Sequence, residues 1–81
     1  ALPLYPQVLR NVKVTDKAKV VGHPRLQEAL TQVEARLLGK GRVNVRPSGT
    51  EPLVRVMVEA EEGAEGLAEE LATLVRALDQ G

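Results

Sequence analysis

Apolar positions along the chain change period three times, and each change marks an element. Val8, Val12 and Val14 share one face of an alternating stretch, as in a strand with one buried side. Arg10 interrupts that face. The polar run Thr15-Asp16-Lys17 closes it, and Lys19-Val20-Val21 fits either a short extra strand or a connection. Pro24 suits the first turn of a helix, where its missing N–H costs nothing. Leu26, Leu30, Val33 and Leu37 then recur at steps of four, three and four, the spacing of an amphipathic helix. Gly39 and Gly41 supply the stop. Arg42-Val43-Asn44-Val45-Arg46 alternates with both valines to one side, and a turn segment bounded by Pro47 and Pro52 follows. Val54, Val56, Val58 and Ala60 resume the alternation, so strand, loop and strand predict a hairpin. Glu61, Glu62 and Glu65 favour a helix N-terminus electrostatically. Leu67, Leu71, Leu74, Val75 and Leu78 form the stripe of that last helix, with Arg76 near its end. The order strand, helix, strand, strand, helix predicts an α+β fold. It is a small, largely antiparallel sheet of three to four strands with two helices on one face.

Composition limits what such a fold can do alone. The 81 residues support one domain, and a domain of that size buries only about 60% of its unfolded surface. Its apolar residues are nearly all Val, Leu and Ala, and Tyr5 is the only aromatic. Small-molecule pockets are walled with aromatic and large apolar groups, which this chain scarcely has. The absence of Cys excludes a disulfide framework and thiolate zinc, and fits a reducing, cytoplasmic setting. No apolar run approaches the roughly 18–20 residues of a membrane span. The opening Ala1-Leu2-Pro3-Leu4-Tyr5-Pro6 has neither the charged end nor the apolar stretch of a signal peptide. Residues 1–7 read as a linker from upstream domains, and 8–81 as the domain itself. Charge is uneven along the chain. Residues 1–55 carry ten Lys and Arg against four Asp and Glu, and residues 56–81 carry one against seven. The acidic excess solvates a helix, or the basic part faces an anion; composition leaves both open.

The segment from Arg46 to Arg55 carries the chemistry. Ser48 and Thr50 bring hydroxyls, and Gly49 lets backbone N–H groups approach a ligand closely. Successive turn N–H groups can form an anion-binding nest. Arg46 ends the strand entering the loop and Arg55 lies early in the strand leaving it, both opposite the valine face. A guanidinium matches phosphate oxygens through paired hydrogen bonds. Together these parts describe a phosphate cradle, although Ser, Gly, Thr and Pro are also ordinary turn residues. No Lys follows the glycine at the offset a Walker-type loop requires.

Arg46-Pro47-Ser48-Gly49-Thr50-Glu51-Pro52, continued by Leu53 to Ala60, resembles the C-terminal signature of the α-D-phosphohexomutases. Within that superfamily it most resembles the bacterial phosphoglucosamine mutases. Tyr5-Pro6-Gln7-Val8-Leu9 and the Gly41-Arg42-Val43 approach extend the resemblance over nearly the whole chain. It implies a TATA-box-binding-protein-like C-terminal domain of a four-domain, cytoplasmic isomerase of amino-sugar metabolism. Such an enzyme interconverts glucosamine 6-phosphate and glucosamine 1-phosphate through a bisphosphate, toward peptidoglycan precursors. Its catalytic phosphoserine and Mg²⁺ ligands are implied to lie in other domains. This chain is then expected to bind no cofactor, to hold no catalytic residue and to lack turnover alone. By position, Arg46, Ser48, Gly49, Thr50 and Arg55 would hold the non-reacting phosphate, while Glu51 and Pro52 shape the loop. The implied partners are the phosphosugar and the upstream domains, with no nucleic acid and no membrane.

Other residues read more plainly. His23, before Pro24, fits a cap better than a general base. Glu61, Glu62, Glu65, Glu69 and Glu70 spread along a helix as a solvated face, and Met57 shares the Arg55 face, suited to packing against a neighbouring domain. A small RNA-binding domain and a purely structural interaction domain are the rival classes. RNA-binding sheets stack bases on exposed aromatics, and the hairpin has none.

Overall fold

The computed structural model describes residues 5–80. Strands β1 (Gln7–Lys13), β2 (Gly41–Pro47) and β3 (Leu53–Ala60) form one antiparallel sheet. Their order, β1-β3-β2, puts the last strand in the middle. Helices α1 (Lys17–Val21) and α2 (Pro24–Leu37) connect β1 to β2, and α3 (Ala64–Gln80) ends the chain. Of the linker expected over residues 1–7, the first four positions lie outside the described residues. Gln7 already pairs opposite Glu59, and the Pro6 carbonyl accepts from the Ala60 N–H at 3.1 Å.

The middle strand organises the core. Val54, Val56 and Val58 are fully buried and Ala60 nearly so. They face α3, which packs on β1 and β3, while α2 covers β2. Every second residue of β3 points to the other face, which no helix among the described residues covers. Leu67, Leu71, Val75 and Leu78 of α3 are buried as the stripe predicts. So are Ala64, Ala68 and Ala72. These three carry no bulk beyond Cβ, so the helix backbone can lie close to the sheet. Among the described residues, no polar or charged side chain is buried.

Several elements differ from the sequence expectation in informative ways. Lys19-Val20-Val21 belongs to a short helix rather than a strand. Asp16 caps it by accepting from the Lys19 N–H at 3.1 Å, the ordinary role of an Asp before a first turn, and Val20 is fully buried. The described residues therefore hold three helices. Arg10 does sit on the covered side of β1, at its rim, where it pairs with Glu69 at 2.7 Å and Glu65 at 3.7 Å. That pairing resolves the interruption in the apolar face. Glu61 and Glu62 lie in the turn before α3, so only Glu65 occupies its first turn. The stop after α2 is made by Leu38 and Gly39, at φ 51° and 79°.

Gly41 is required by close approach. A Cβ there would meet the Glu59 carbonyl oxygen of β3 at 2.1 Å. Gly41→Ala must push β2 away from β3 and should cost about 1–3 kcal/mol, measured as a lower urea midpoint. An unchanged midpoint would show that the strands part freely at that end.

Candidate functional site

Antiparallel pairing of β2 and β3 places Arg46 directly opposite Arg55. Both sit on the uncovered face of the sheet and both are exposed. They line one shallow depression of about 270 Å³ together with Leu9, Asn44 and Met57. Like charges directly opposite in a strand pair destabilise it. Among the described residues the ion pairs use Arg10 and Arg36, and no carboxylate reaches Arg46 or Arg55. Two unneutralised guanidiniums therefore converge beside the hairpin loop.

The loop itself is pinned by its own backbone. The Ser48 N–H donates to the Leu53 carbonyl at 2.8 Å, and the Leu53 N–H to the Glu51 carbonyl at 2.7 Å. The Val14 N–H donates to the Pro52 carbonyl at 2.9 Å, tying the loop to the end of β1. Glu51 and Pro52 thus shape the loop through their carbonyls. The Ser48 N–H is consumed inside the turn, which removes it from any nest. Among the described residues, no acceptor takes the N–H of Gly49 or Thr50.

The structure does not bring all five proposed phosphate ligands into one hollow. Arg46 and Arg55 share the depression on the sheet face. Thr50 lines a second one, of about 410 Å³, with Asp16 and Lys17 among its other walls. Ser48 is half-buried and Gly49 exposed between them, and neither lines either hollow. The loop is a ridge with cationic groups on both sides. One cation was not legible in the motif. Lys17, the first residue of α1, donates from Nζ to the Ser48 carbonyl and, at 3.2 Å, to the Glu51 carbonyl. Only the packing of α1 beneath the loop brings it there.

Elsewhere, His23 acts as a cap, its Nδ1 accepting from the Arg25 N–H at 3.1 Å. Of the acidic group on α3, Glu65 and Glu69 pair with Arg10, and Glu70 pairs with Arg36 at 3.5 Å. Among the described residues, no three His, Asp or Glu side chains converge as metal ligands.

A family model, phosphoglucomutase/phosphomannomutase C-terminal domain, matches residues 9–77. The chain belongs to this family. Curated relatives of this C-terminal domain include phosphoglucosamine mutase of Thermus thermophilus, 75% identical over 99% of the chain. Phosphoglucosamine mutase of Geobacillus thermodenitrificans is 53% identical over 89% of the chain. The chain spans only 18% and 16% of the length of these relatives. Among solved structures, N-acetylphosphoglucosamine mutase of Aspergillus fumigatus, in complex with GlcNAc-6P and magnesium, superimposes with a TM-score of 0.78. It is 31% identical over 93% of this chain, which matches 16% of the fungal one. The α+β fold expected from the order of elements is thus the phosphohexomutase C-terminal fold.

The end of α3 holds the base of this site. Asp79 Oδ1 accepts from the Thr15 N–H and hydroxyl, each at 2.8 Å, and from the Asp16 N–H at 3.3 Å. The Thr15 N–H, with lesser help from its hydroxyl, the Asp16 N–H and the charge of Lys19, holds the Asp79 carboxyl below its ordinary value of 3.8. A depressed native pKa adds stability that is present above the unfolded value and is lost as pH falls through the native one. Asp79→Asn should therefore lower the urea midpoint at pH 7, with the difference from wild type shrinking below about pH 4. A difference that persists unchanged at pH 2 would assign the effect to packing.

Proposed function

We propose that the chain is the phosphate-binding lobe of a phosphoglucosamine mutase-type isomerase. In this role it grips the non-reacting phosphate of glucosamine 6-phosphate, glucosamine 1-phosphate and the bisphosphate between them. The observation that carries the reading is the Arg46–Arg55 pair. Two exposed guanidiniums sit opposite one another, and no carboxylate among the described residues pairs with either, an arrangement unfavourable for folding and suited to a dianion. The names of the relatives support the sugar and the reaction class.

The mechanism for such a lobe is positioning. A bisphosphate must turn round between two phosphoryl transfers, so one site has to accept either phosphate. Arg46 and Arg55 can do so because a guanidinium reads phosphate oxygens and not the sugar. Gly49 and Thr50 add N–H donors, and the Thr50 hydroxyl a further one. Binding energy from this remote phosphate then aligns the reacting one. Magnesium and the phosphorylated nucleophile would come from upstream domains, and in this reading Leu9 and Met57 offer those domains an apolar contact on the open face. Leu9 is 53% exposed, which fits a surface covered in the assembled enzyme. A nucleic-acid reading has no comparable support, because no ring lines the hollow around Arg46 and Arg55 for a base to stack on.

Titration with glucosamine 6-phosphate, followed by backbone amide shifts and with glucosamine as control, tests the reading. Saturable shifts at Gly49, Thr50 and Arg55 are expected for the phosphate ester alone. Arg46→Ala should weaken binding by about 10- to 100-fold, the worth of a charge-assisted hydrogen-bond pair. Equal responses to both sugars, or a loop that stays silent at millimolar ester, would contradict the assignment.

A further inference from the structure

The loop is held from behind by a side chain outside the motif, and the geometry of that grip sets a donor in front. Lys17 Nζ donates to the Ser48 carbonyl. That carbonyl belongs to the same planar peptide unit as the Gly49 N–H. In a trans peptide the two point in opposite directions. Drawing the Ser48 oxygen toward Lys17 therefore turns the Gly49 N–H away from α1, and no acceptor among the described residues takes it. The second contact of Lys17, at 3.2 Å to the Glu51 carbonyl, falls on the unit that ends in Pro52, which has no N–H to misdirect. An ammonium at the carbonyl end also polarises the Ser48–Gly49 peptide, which strengthens its N–H as a donor to an anion.

Lys17 is itself firmly placed. Asp16 caps the helix that Lys17 begins, and Asp79 of α3 accepts from the Thr15 and Asp16 backbone just before it. The loop conformation is thus tied through α1 to the end of α3. We propose that Lys17 is a positioning residue that fixes the Ser48–Gly49 peptide with its N–H presented to the phosphate. This rests on the phosphate-binding reading of the loop. Lys17 touches no phosphate in this account. It acts through the peptide it holds.

Three variants test it: Lys17→Met, which keeps the aliphatic stem but removes the donor; Lys17→Arg, which keeps the cation; and Arg46→Ala, which removes a direct contact. Each is titrated with glucosamine 6-phosphate while the amides of Gly49 and of the core residues Val54, Val56 and Val58 are followed. Lys17→Met should bind roughly 3- to 30-fold more weakly, with the ligand-induced shift of Gly49 diminished and the core amides at their wild-type positions. Lys17→Arg should recover most of the affinity and of the Gly49 response. Wild-type affinity and a full Gly49 response in Lys17→Met, with binding lost in Arg46→Ala, would overturn the role of Lys17 and leave the cradle standing. Wild-type binding in Arg46→Ala would overturn the cradle and the role of Lys17 together. Should Lys17→Met disturb the core amides, Lys17→Arg decides: retained affinity supports the grip, and a loss as large as that of Arg46→Ala refutes it.

Discussion

Register between β2 and β3 is the constraint on which the rest depends. Val45 faces Val56 and Val43 faces Val58 across the pair, and the two β3 valines are fully buried. A slip of one residue would turn β2's apolar side chains into solvent. It would also carry Arg46 off its place opposite Arg55. The core that holds the sheet together therefore fixes where the two guanidiniums meet. Packing is specified on the covered face, and the site on the open face inherits its geometry from it. Gly41, pressed against the Glu59 carbonyl, closes the far end of the same register.

That dependence explains what sequence reasoning could reach. Alternation in the two hairpin strands and the leucine stripe of α3 are local patterns, so the hairpin, the helices α2 and α3 and the arginine pair followed directly. Resemblance of the loop supplied the family. The short helix α1 did not follow, because a five-residue helix with a single buried valine has no periodicity to show. Ala64, Ala68 and Ala72 escaped notice as core residues, since small side chains carry little hydrophobic signal although they bring α3 onto the sheet. Arg10 looked like a fault in the apolar face until α3 placed Glu69 and Glu65 beside it. Lys17 could not be found at all from spacing. It lies 31 positions from Ser48 along the chain, and only the fold joins them.

Charge is distributed according to these two faces. On α3, Glu65, Glu69 and Glu70 pair with arginines of other elements, and Asp79 accepts from the Thr15 and Asp16 backbone. Among the described residues the cations around the loop have no such partners. Lys17 is turned to loop carbonyls instead of a carboxylate, so its charge also remains uncancelled near the hairpin tip. In a domain with a single aromatic residue and no buried polar side chain among the described residues, the concentration of positive charge at one end is the principal chemical resource. It suits the proposed role of gripping a phosphate.

The central claim is that the Arg46–Arg55 juxtaposition is kept for an anion at some cost to the fold. Urea unfolding of wild type and Arg46→Gln, with and without glucosamine 6-phosphate at matched low ionic strength, tests it most directly. The account predicts that Arg46→Gln is at least as stable as wild type without ligand, because the cross-strand repulsion is relieved. With ligand at ten times the wild-type Kd, wild type should gain roughly 1.4 kcal/mol and the variant at most about 0.4 kcal/mol. A variant that is less stable without ligand, yet gains as much from it as wild type, would contradict the claim.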